Sequence, residues 1–524
     1  MLKHLGPTAI EYVTALFNDI IKTSIIPPLW KTGRVIPLLK PNKPADEGKS
    51  YRPVSLLSPL VKILEGLLLP KILNASTLQD HQHGFRKNRS TTTALHEVIS
   101  NIKTGLNKDK PVDRTVMVAI DLTCAFDTVS HATLLQDLCE LQLCPFVKRF
   151  LAAYLRGRQT FVEFRGVKSK RRKMRQGVPQ GGVLSPLLFN IYMSKIPPPP
   201  PGINITTYAD DTTISSSGPK IPPLCEKLNG YLATLNSFFI SRNLFISPAK
   251  STATIFTTCS QEVNTQLPIT INGDKVPTVK NPKVLGLLFD PLLTFNAHAK
   301  YVKSRVNSRN NVLRALAGTS WGKEPETILT TYKAIGRSIF NYCAPIWTPT
   351  LSATNWTDIQ TAQNSALRTA LGCIKKTSID HLHSESKCMT VEQHNQMLSA
   401  QFLLATKQTG HANFSGPYVQ PPRLMKQTLS SLHEQDIQHL FLPDGNDPAR
   451  HKIGLSAIHT EAVTASISKL EDNKVLGRPA PEVNPSAKTL PRSTRSTLCQ
   501  LRSGYSSSLR ATMHSMYPLS YDPL

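Results

Sequence analysis

Three acidic residues sit in settings that ordinary surface acids do not share. Asp121 ends the apolar, β-branched run TVMVAIDL (115–122), and Asp210 and Asp211 stand between the β-branched flanks of ITTYADDTTIS (205–215). The first run reads as a strand and the second as a hairpin with its acids near the turn. A charge at the end of a buried strand is costly unless a cation or a donor offsets it. Adjacent carboxylates repel, and all remain ionised most readily around a divalent ion. Hard oxygen ligands of this kind suit Mg²⁺, with phosphate oxygens completing the octahedron. The chemistry such a set performs is phosphoryl transfer, with charge neutralised on both the attacking and the leaving oxygen. Each acid taken alone has a plainer explanation: Asp-Asp is common in turns, and Asp121 would serve as a helix cap. Their order along the chain, and the elements that carry them, favour the first reading.

Those elements follow a recognisable plan. After Asp121 comes HATLLQDLCELQL, with helical periodicity, so the local order is strand, loop, helix. The glycine-rich QGVPQGGVLSP (176–186) leads into LLFNIYMS, a further helix. Before it, FVEF and RGVKSKRRKMR (165–175) read as a hairpin or edge strand pair with a basic, acid-free tip. Toward the N-terminus, IIPPLWK, VIPLLKPNKP and SYRPVSLLSP are strand or loop segments, because each proline blocks helix continuation. Residues 57–73 read as a helix interrupted near Gly66 and Pro70, and Pro197 to Pro201 as a short polyproline spacer. An amphipathic helix is expected over 225–243, strands over 252–257 and 283–290, and helices over 296–317, 325–341 and 354–371. Beyond 376 the pattern weakens, and the stretch 479–498, rich in Pro, Ser, Thr and Arg, reads as partly flexible. Tyr192, Trp30 and Trp321 read as core residues, and His81, His83 and His131 have no metal-ligand spacing.

Composition narrows the partners. The chain has 524 residues, 40% hydrophobic and 18% charged, enough for a sizeable core in several domains. Lys plus Arg number 61 against 35 acids, a surplus of 61 − 35 = +26, which calls for a polyanion, nucleic acid first. No run reaches the roughly eighteen uninterrupted apolar residues of a membrane span. The N-terminus lacks a signal peptide's compact apolar region. The nine cysteines are scattered without a CxxC pair, which speaks against a disulfide-linked partner and a zinc site and for a reducing compartment.

At this point the motifs resemble a known family. ITTYADDTTI resembles the Tyr-Ala-Asp-Asp hairpin of reverse transcriptases, and VAIDLTCAFDTVSH resembles their first palm motif. RQGVPQGGVLSPLLFNIYMS is similar to the glycine-rich palm motif, and SYRPVSLLSPLVKILEGLLLPKI and HQHGFRKNRSTTTAL to the finger motifs. PAKSTATIF and KVLGLLFD are similar to the motifs that follow the catalytic hairpin. IIPPLWKTGRVIPLLKP, NYCAPIW and LPRSTRSTLCQLRSGY bring the wording nearest to non-LTR, jockey-type retrotransposons.

The resemblance implies an α/β (α+β) right-hand polymerase, with fingers over 1–112, a palm of antiparallel sheet plus helices over 113–290, a helical thumb over 291–375 and a C-terminal region over 376–524. It implies RNA-directed DNA synthesis on an RNA template, from a DNA primer or target, with deoxynucleoside triphosphates and Mg²⁺, or Mn²⁺ in its place. Asp121, Asp210 and Asp211 would be the metal-binding catalytic acids. Phe126 would exclude a ribose 2′-hydroxyl, where composition alone would make it core. Gln180 and Gly181 would contact the incoming nucleotide, Arg52 and Arg86 would hold its triphosphate, and Lys250 would protonate pyrophosphate. A surface role is the plain alternative for each of these cations. Lys168, Lys170, Arg171, Arg172 and Lys173 would track nucleic-acid phosphates, where the plain alternative is a solvated hairpin tip. The resemblance implies an intracellular protein and leaves open nucleus or cytoplasm. Cys124 departs from the family, where many relatives have Lys. Neither the relatives' endonuclease nor a Cys/His cluster is seen, so the chain is expected to be a piece of a longer reading frame. The contrasting readings are a catalytically degenerate remnant that only binds nucleic acid, and a group II intron maturase.

Overall fold

The computed structural model describes residues 4–409 except 42, 109, 319 and 320, together with 460 and 489–503. The chain divides into two compact units, Met1–Leu285 and Gly286–Leu524. In chain order the first unit begins with α1 (Pro7–Thr23), β1 (Thr32–Leu39), β2 (Tyr51–Leu56), α2 (Pro59–Ala75) and α3 (Thr91–Leu106). It continues with β3 (Arg114–Ile120), α4 (Ala125–Thr128), α5 (His131–Glu140) and α6 (Pro145–Leu155). Then come β4 (Gln159–Phe164), β5 (Val167–Lys168), β6 (Arg172–Lys173) and α7 (Ser185–Met193). The hairpin β7 (Ile203–Tyr208) and β8 (Asp211–Gly218), the long α8 (Ile221–Ser241) and β9 (Thr252–Phe256) follow.

Four strands form one antiparallel sheet in the order β7-β8-β3-β9. The strand β3 is central, and its β-branched run is explained by burial on both faces. Val116, Val118 and Ile120 point into a core shared with Leu228 and Leu232 of α8. Thr115, of opposite parity, points to the other face, and its side chain lies against Gly105 of α3. A second sheet, β2-β1-β4-β5 with β6 also on β4, joins β1 and β2 antiparallel and β1 and β4 parallel. The prolines of the N-terminal strands oppose one another there, with Pro37 paired to Pro53.

Three expectations need correction. The helix α2 runs unbroken through Gly66 and Pro70. The proline ring would crowd the carbonyl of the residue one turn back, which is Gly66, where no side chain restricts adjustment. Burial of Leu64, Leu68 and Ile72 then holds the helix together. KVLGLLFD is two strands of two residues, Lys283–Val284 and Leu287–Leu288, because Leu285 and Gly286 between them take φ of 44° and 88°. Trp321 is 57% exposed and is not core, whereas Tyr192 is fully buried and Trp30 stands edge-on to Phe17 at 6.2 Å.

Arg492–Arg502 is a helix, although its composition suggests flexibility. Arg492 is 4% exposed, and its guanidinium donates to the carbonyls of Gly318, Lys323, Thr369 and Ala370. The first half of 479–498 lies outside the described residues. Among the described residues this second unit is mainly helical, with Asn296–Leu316, Pro325–Tyr332, Ala353–Leu371 and Val391–Thr409. Among the described residues no helix is long and apolar enough to cross a membrane.

Candidate active site

Register brings the acids together. Ile120 of β3 pairs with Thr212 of β8, so Asp121, one residue past the strand, arrives beside Asp211. Tyr208 pairs with Asp211, which leaves Ala209 and Asp210 as a two-residue hairpin loop. Ala209 takes φ 58°, the left-handed conformation that such tight loops demand. Asp121 is anchored through its backbone: its N–H donates to Ser251 Oγ at 3.1 Å, and its carbonyl accepts from Ser247 N at 2.8 Å. The carboxylates sense each other. Loss of solvent raises Asp210 above the usual carboxylate range and the Asp121 charge adds to it, while Arg52 opposes. Asp211 still reaches the surface, yet partial desolvation, then Asp210 and Asp121, push it up to about 6.

A cluster of mutually repelling oxygens is the donor set for a hard divalent cation. Among the described residues no group of three or more His, Cys, Asp or Glu side chains is placed so that it could hold a metal ion. The Asp121 side chain is instead 40% exposed. An open set of oxygens suits an ion that keeps water and phosphate oxygens in its shell.

The other expected residues fall into two groups. Lys250 and Arg52 face the acids. Lys250 Nζ lies 3.6 Å from Asp121 Oδ2, and Arg52, exposed on β2, is close enough for its charge to act on Asp210. Phe126 is half-buried, stacked on Phe189 of α7 with centroids 4.3 Å apart and edge-on to Phe85 at 6.2 Å. It is therefore packed on the core and close in sequence to Asp121 at once. Gln180 donates from Nε2 to Asp127 Oδ1 at 3.0 Å, and its carbonyl accepts from Ser55 N at 2.7 Å.

Gly181 and Arg86 have structural work of their own. Gly181 takes φ 138°, and a Cβ there would lie 2.2 Å from the Ser55 carbonyl oxygen, so only glycine fits against β2. Arg86 donates to the carbonyls of Gln79 at 2.6 Å and Gln82 at 3.1 Å, binding its own loop together. Lys168, Lys170, Arg171, Arg172 and Lys173 all lie exposed on or between β5 and β6, strands of the second sheet rather than of the sheet that carries the acids. Cys124 takes φ 50° and caps α4 without a side-chain hydrogen bond.

Three further residues carry the site without any local signature in the sequence. Gly84 meets the acidic hairpin: a Cβ there would lie 2.5 Å from Ala209 N. Its loop runs beside β7, with His83 N donating to the Thr207 carbonyl at 2.8 Å. Asp127 holds the Gln180 amide. Glu65 of α2 is fully buried and accepts three hydrogen bonds. The HGF and AFD strings contain the first two, but nothing local distinguishes them from their neighbours.

An antiparallel sheet that carries three acids at one end, beside a glycine-rich loop joined to a second sheet, is the arrangement that the resemblance to right-hand polymerases leads one to expect of a palm. Residues 40–289, just under half of the chain, match the family described as reverse transcriptase (RNA-dependent DNA polymerase). The chain is 32% identical over 410 residues to the probable RNA-directed DNA polymerase from transposon BS of Drosophila melanogaster, covering 75% of this chain and 44% of that protein. It is 29% identical over 329 residues to the RNA-directed DNA polymerase from mobile element jockey of Drosophila funebris, covering 60% and 35%. The chain thus spans less than half the length of these relatives. Among solved structures, telomerase from Candida Tropicalis aligns with TM-score 0.37 at 12% identity, over 77% of this chain and 68% of that one, too distant a likeness to carry weight.

Proposed function

We propose that the chain is the polymerase segment of a non-LTR retrotransposon protein and copies RNA into DNA. The observation that carries this is the convergence of Asp121 with the Asp210–Asp211 hairpin, where the Asp121 charge raises the proton affinity of Asp210 and both raise that of Asp211. In this reading Met1–Leu285 holds the fingers and palm, and the helices after Gly286 begin the thumb. The reaction is attack of a primer 3′-oxygen on the α-phosphorus of a deoxynucleoside triphosphate. A new P–O ester bond forms, the bond to the bridging oxygen breaks, and pyrophosphate leaves.

Asp121, Asp210 and Asp211 would hold the divalent ion, Mg²⁺ or in its place Mn²⁺, which when bound supplies positive charge to the reacting phosphate oxygens. Arg52 binds the triphosphate from the β2 side through charge-assisted hydrogen bonds. Lys250 balances Asp121 and is placed to give a proton to the departing pyrophosphate. Phe126 presents a flat apolar ring to the sugar, leaving a 2′-hydroxyl neither room nor a partner. Gln180 meets the nucleotide from the glycine-rich loop. The basic strands β5 and β6 bind phosphates of the template–primer duplex, an affinity that weakens with salt.

Primer extension on an RNA template with Mg²⁺ and deoxynucleotides, native chain against Asp210→Asn, is the test. Extension that disappears in the variant supports the assignment. A folded native chain that binds RNA but extends nothing would favour the degenerate-remnant reading, toward which Cys124 points.

A further inference from the structure

The buried carboxylate of Glu65 takes no direct part in the reaction, yet it is joined to the loop that carries Gln180. Its Oε2 accepts from Leu184 N at 3.0 Å and, at closer range, from Val183 N. Its Oε1 accepts from the Tyr154 hydroxyl at 3.0 Å. Both partners of Oε2 are backbone amides at the end of the glycine-rich loop, immediately before α7. Free N–H groups that precede a helix are natural partners for a negative charge. No arginine or lysine contributes a hydrogen bond to Glu65 among the described residues, so three neutral donors supply its compensation.

The same loop has a second anchor. Ser55 N binds the Gln180 carbonyl at 2.7 Å, and Ser55 lies on β2, which leads directly into α2. Gln180 is therefore suspended between two points of one finger segment, Ser55 and Glu65. The gate residue belongs to the same body. Val178 N donates to the Phe126 carbonyl at 2.8 Å, and the Phe126 ring stacks on Phe189 of α7, the helix whose entry Glu65 holds.

We propose that Glu65 is a positioning residue for nucleotide selection: through Val183 and Leu184 it fixes the loop and α7, and so the placement of Gln180 and Phe126 relative to the acids. This rests on the polymerase reading above. Glutamine at this position keeps the shape and one acceptor oxygen for the two amides, but loses the charge. Leucine leaves both amides and the Tyr154 hydroxyl without an acceptor.

The test is single-nucleotide primer extension with the native chain, Glu65→Gln, Glu65→Leu and Tyr154→Phe, alongside thermal unfolding. The expected result for Glu65→Gln is a rise of about tenfold to a hundredfold in KM for the deoxynucleotide, a much smaller change in kcat, and more ribonucleotide incorporation, with a near-native Tm. Tyr154→Phe shifts KM in the same direction by less. A Glu65→Gln protein with lowered Tm but native KM and native ribose discrimination overturns the proposal and leaves Glu65 a packing residue. A native chain that extends nothing defeats the polymerase reading separately. Positioning is then read by amide hydrogen exchange: protection that falls in Glu65→Gln at residues 178–186 but is kept elsewhere supports it, and unchanged protection there overturns it.

Discussion

The acids of the first unit are treated in opposite ways in two places. In the interior, Asp137 of α5 takes a two-pronged contact from Arg242, at 2.7 and 3.0 Å, and Arg242 is further held by the Tyr192 carbonyl and ring. Glu65 is likewise satisfied by three donors. At the end of the palm sheet, Asp121, Asp210 and Asp211 confront each other, with Lys250 at 3.6 Å from Asp121 as the near cation. A chain that balances Asp137 so completely has the means to balance the hairpin too. Leaving like charges together lowers stability and is retained where a ligand of opposite charge completes the set. The paired acids of the interior build the fold, and the clustered acids of the sheet end are those to which we assign the chemistry.

The sharpest way to break that contrast is to neutralise one acid of each kind. Asp210→Asn is expected to lower extension by at least about 10³-fold while Tm holds or rises, because a repulsion has been removed. A large fall in Tm would place Asp210 with the structural acids. Asp137→Ala is expected to do the reverse. It leaves the Arg242 charge buried without its partner and should cost about 3–5 kcal/mol in denaturant unfolding. A cost under about 1 kcal/mol would make Asp137 an ordinary surface acid.

Two smaller effects refine the comparison. Replacing Lys168, Lys170, Arg171, Arg172 and Lys173 together by Ala should leave Tm unchanged, since all five are exposed. Affinity for an RNA–DNA duplex should fall, and the slope of log K against log salt should flatten by roughly 0.7–0.9 for each phosphate that the variant no longer neutralises. An unchanged slope would remove these strands from the nucleic-acid path. The smallest effect concerns pH. Asp211 is raised in the folded chain from 3.8 to about 6, so the folded state holds its proton more tightly than the unfolded state does. Without a divalent ion, its contribution to stability is full below pH 3.8 and is lost as pH climbs through about 6. Mg²⁺ or Mn²⁺ should therefore raise Tm more at about pH 7.5 than at about pH 5, where the proton competes for the same oxygens. An equal gain at both would separate ion binding from Asp211.

Much of this arrangement is legible along the chain. The β-branched run before Asp121 and the flanks of Asp210 and Asp211 announce strands, because residue shape and alternation act locally. The basic tip after FVEF reads as a hairpin, and it is one: β4 and β5 turn at Arg165 and Gly166, both at positive φ. Other features escape for a physical reason. Pro70 suggests a break in α2 that burial elsewhere on the helix overrides. Arg86 resembles a triphosphate ligand, yet its guanidinium closes its own loop. Arg492 sits in a stretch with the composition of a flexible tail, and its burial depends on carbonyls far away in the chain. Gly181 looks like a ligand-facing glycine, and its small size is required by Ser55 of another strand.

By itself, then, the sequence determined that this protein has a strand ending in Asp121, an acidic hairpin at Asp210 and Asp211, and a glycine-rich loop between them, since these depend on neighbours in the chain. It also determined the strongly basic balance that marks a polyanion partner. Only the tertiary structure decided which acids are balanced and which are not. That property belongs to the space around a carboxylate, and residues distant in sequence fill it: Arg242 for Asp137, Val183 and Leu184 for Glu65, and another acid for Asp211.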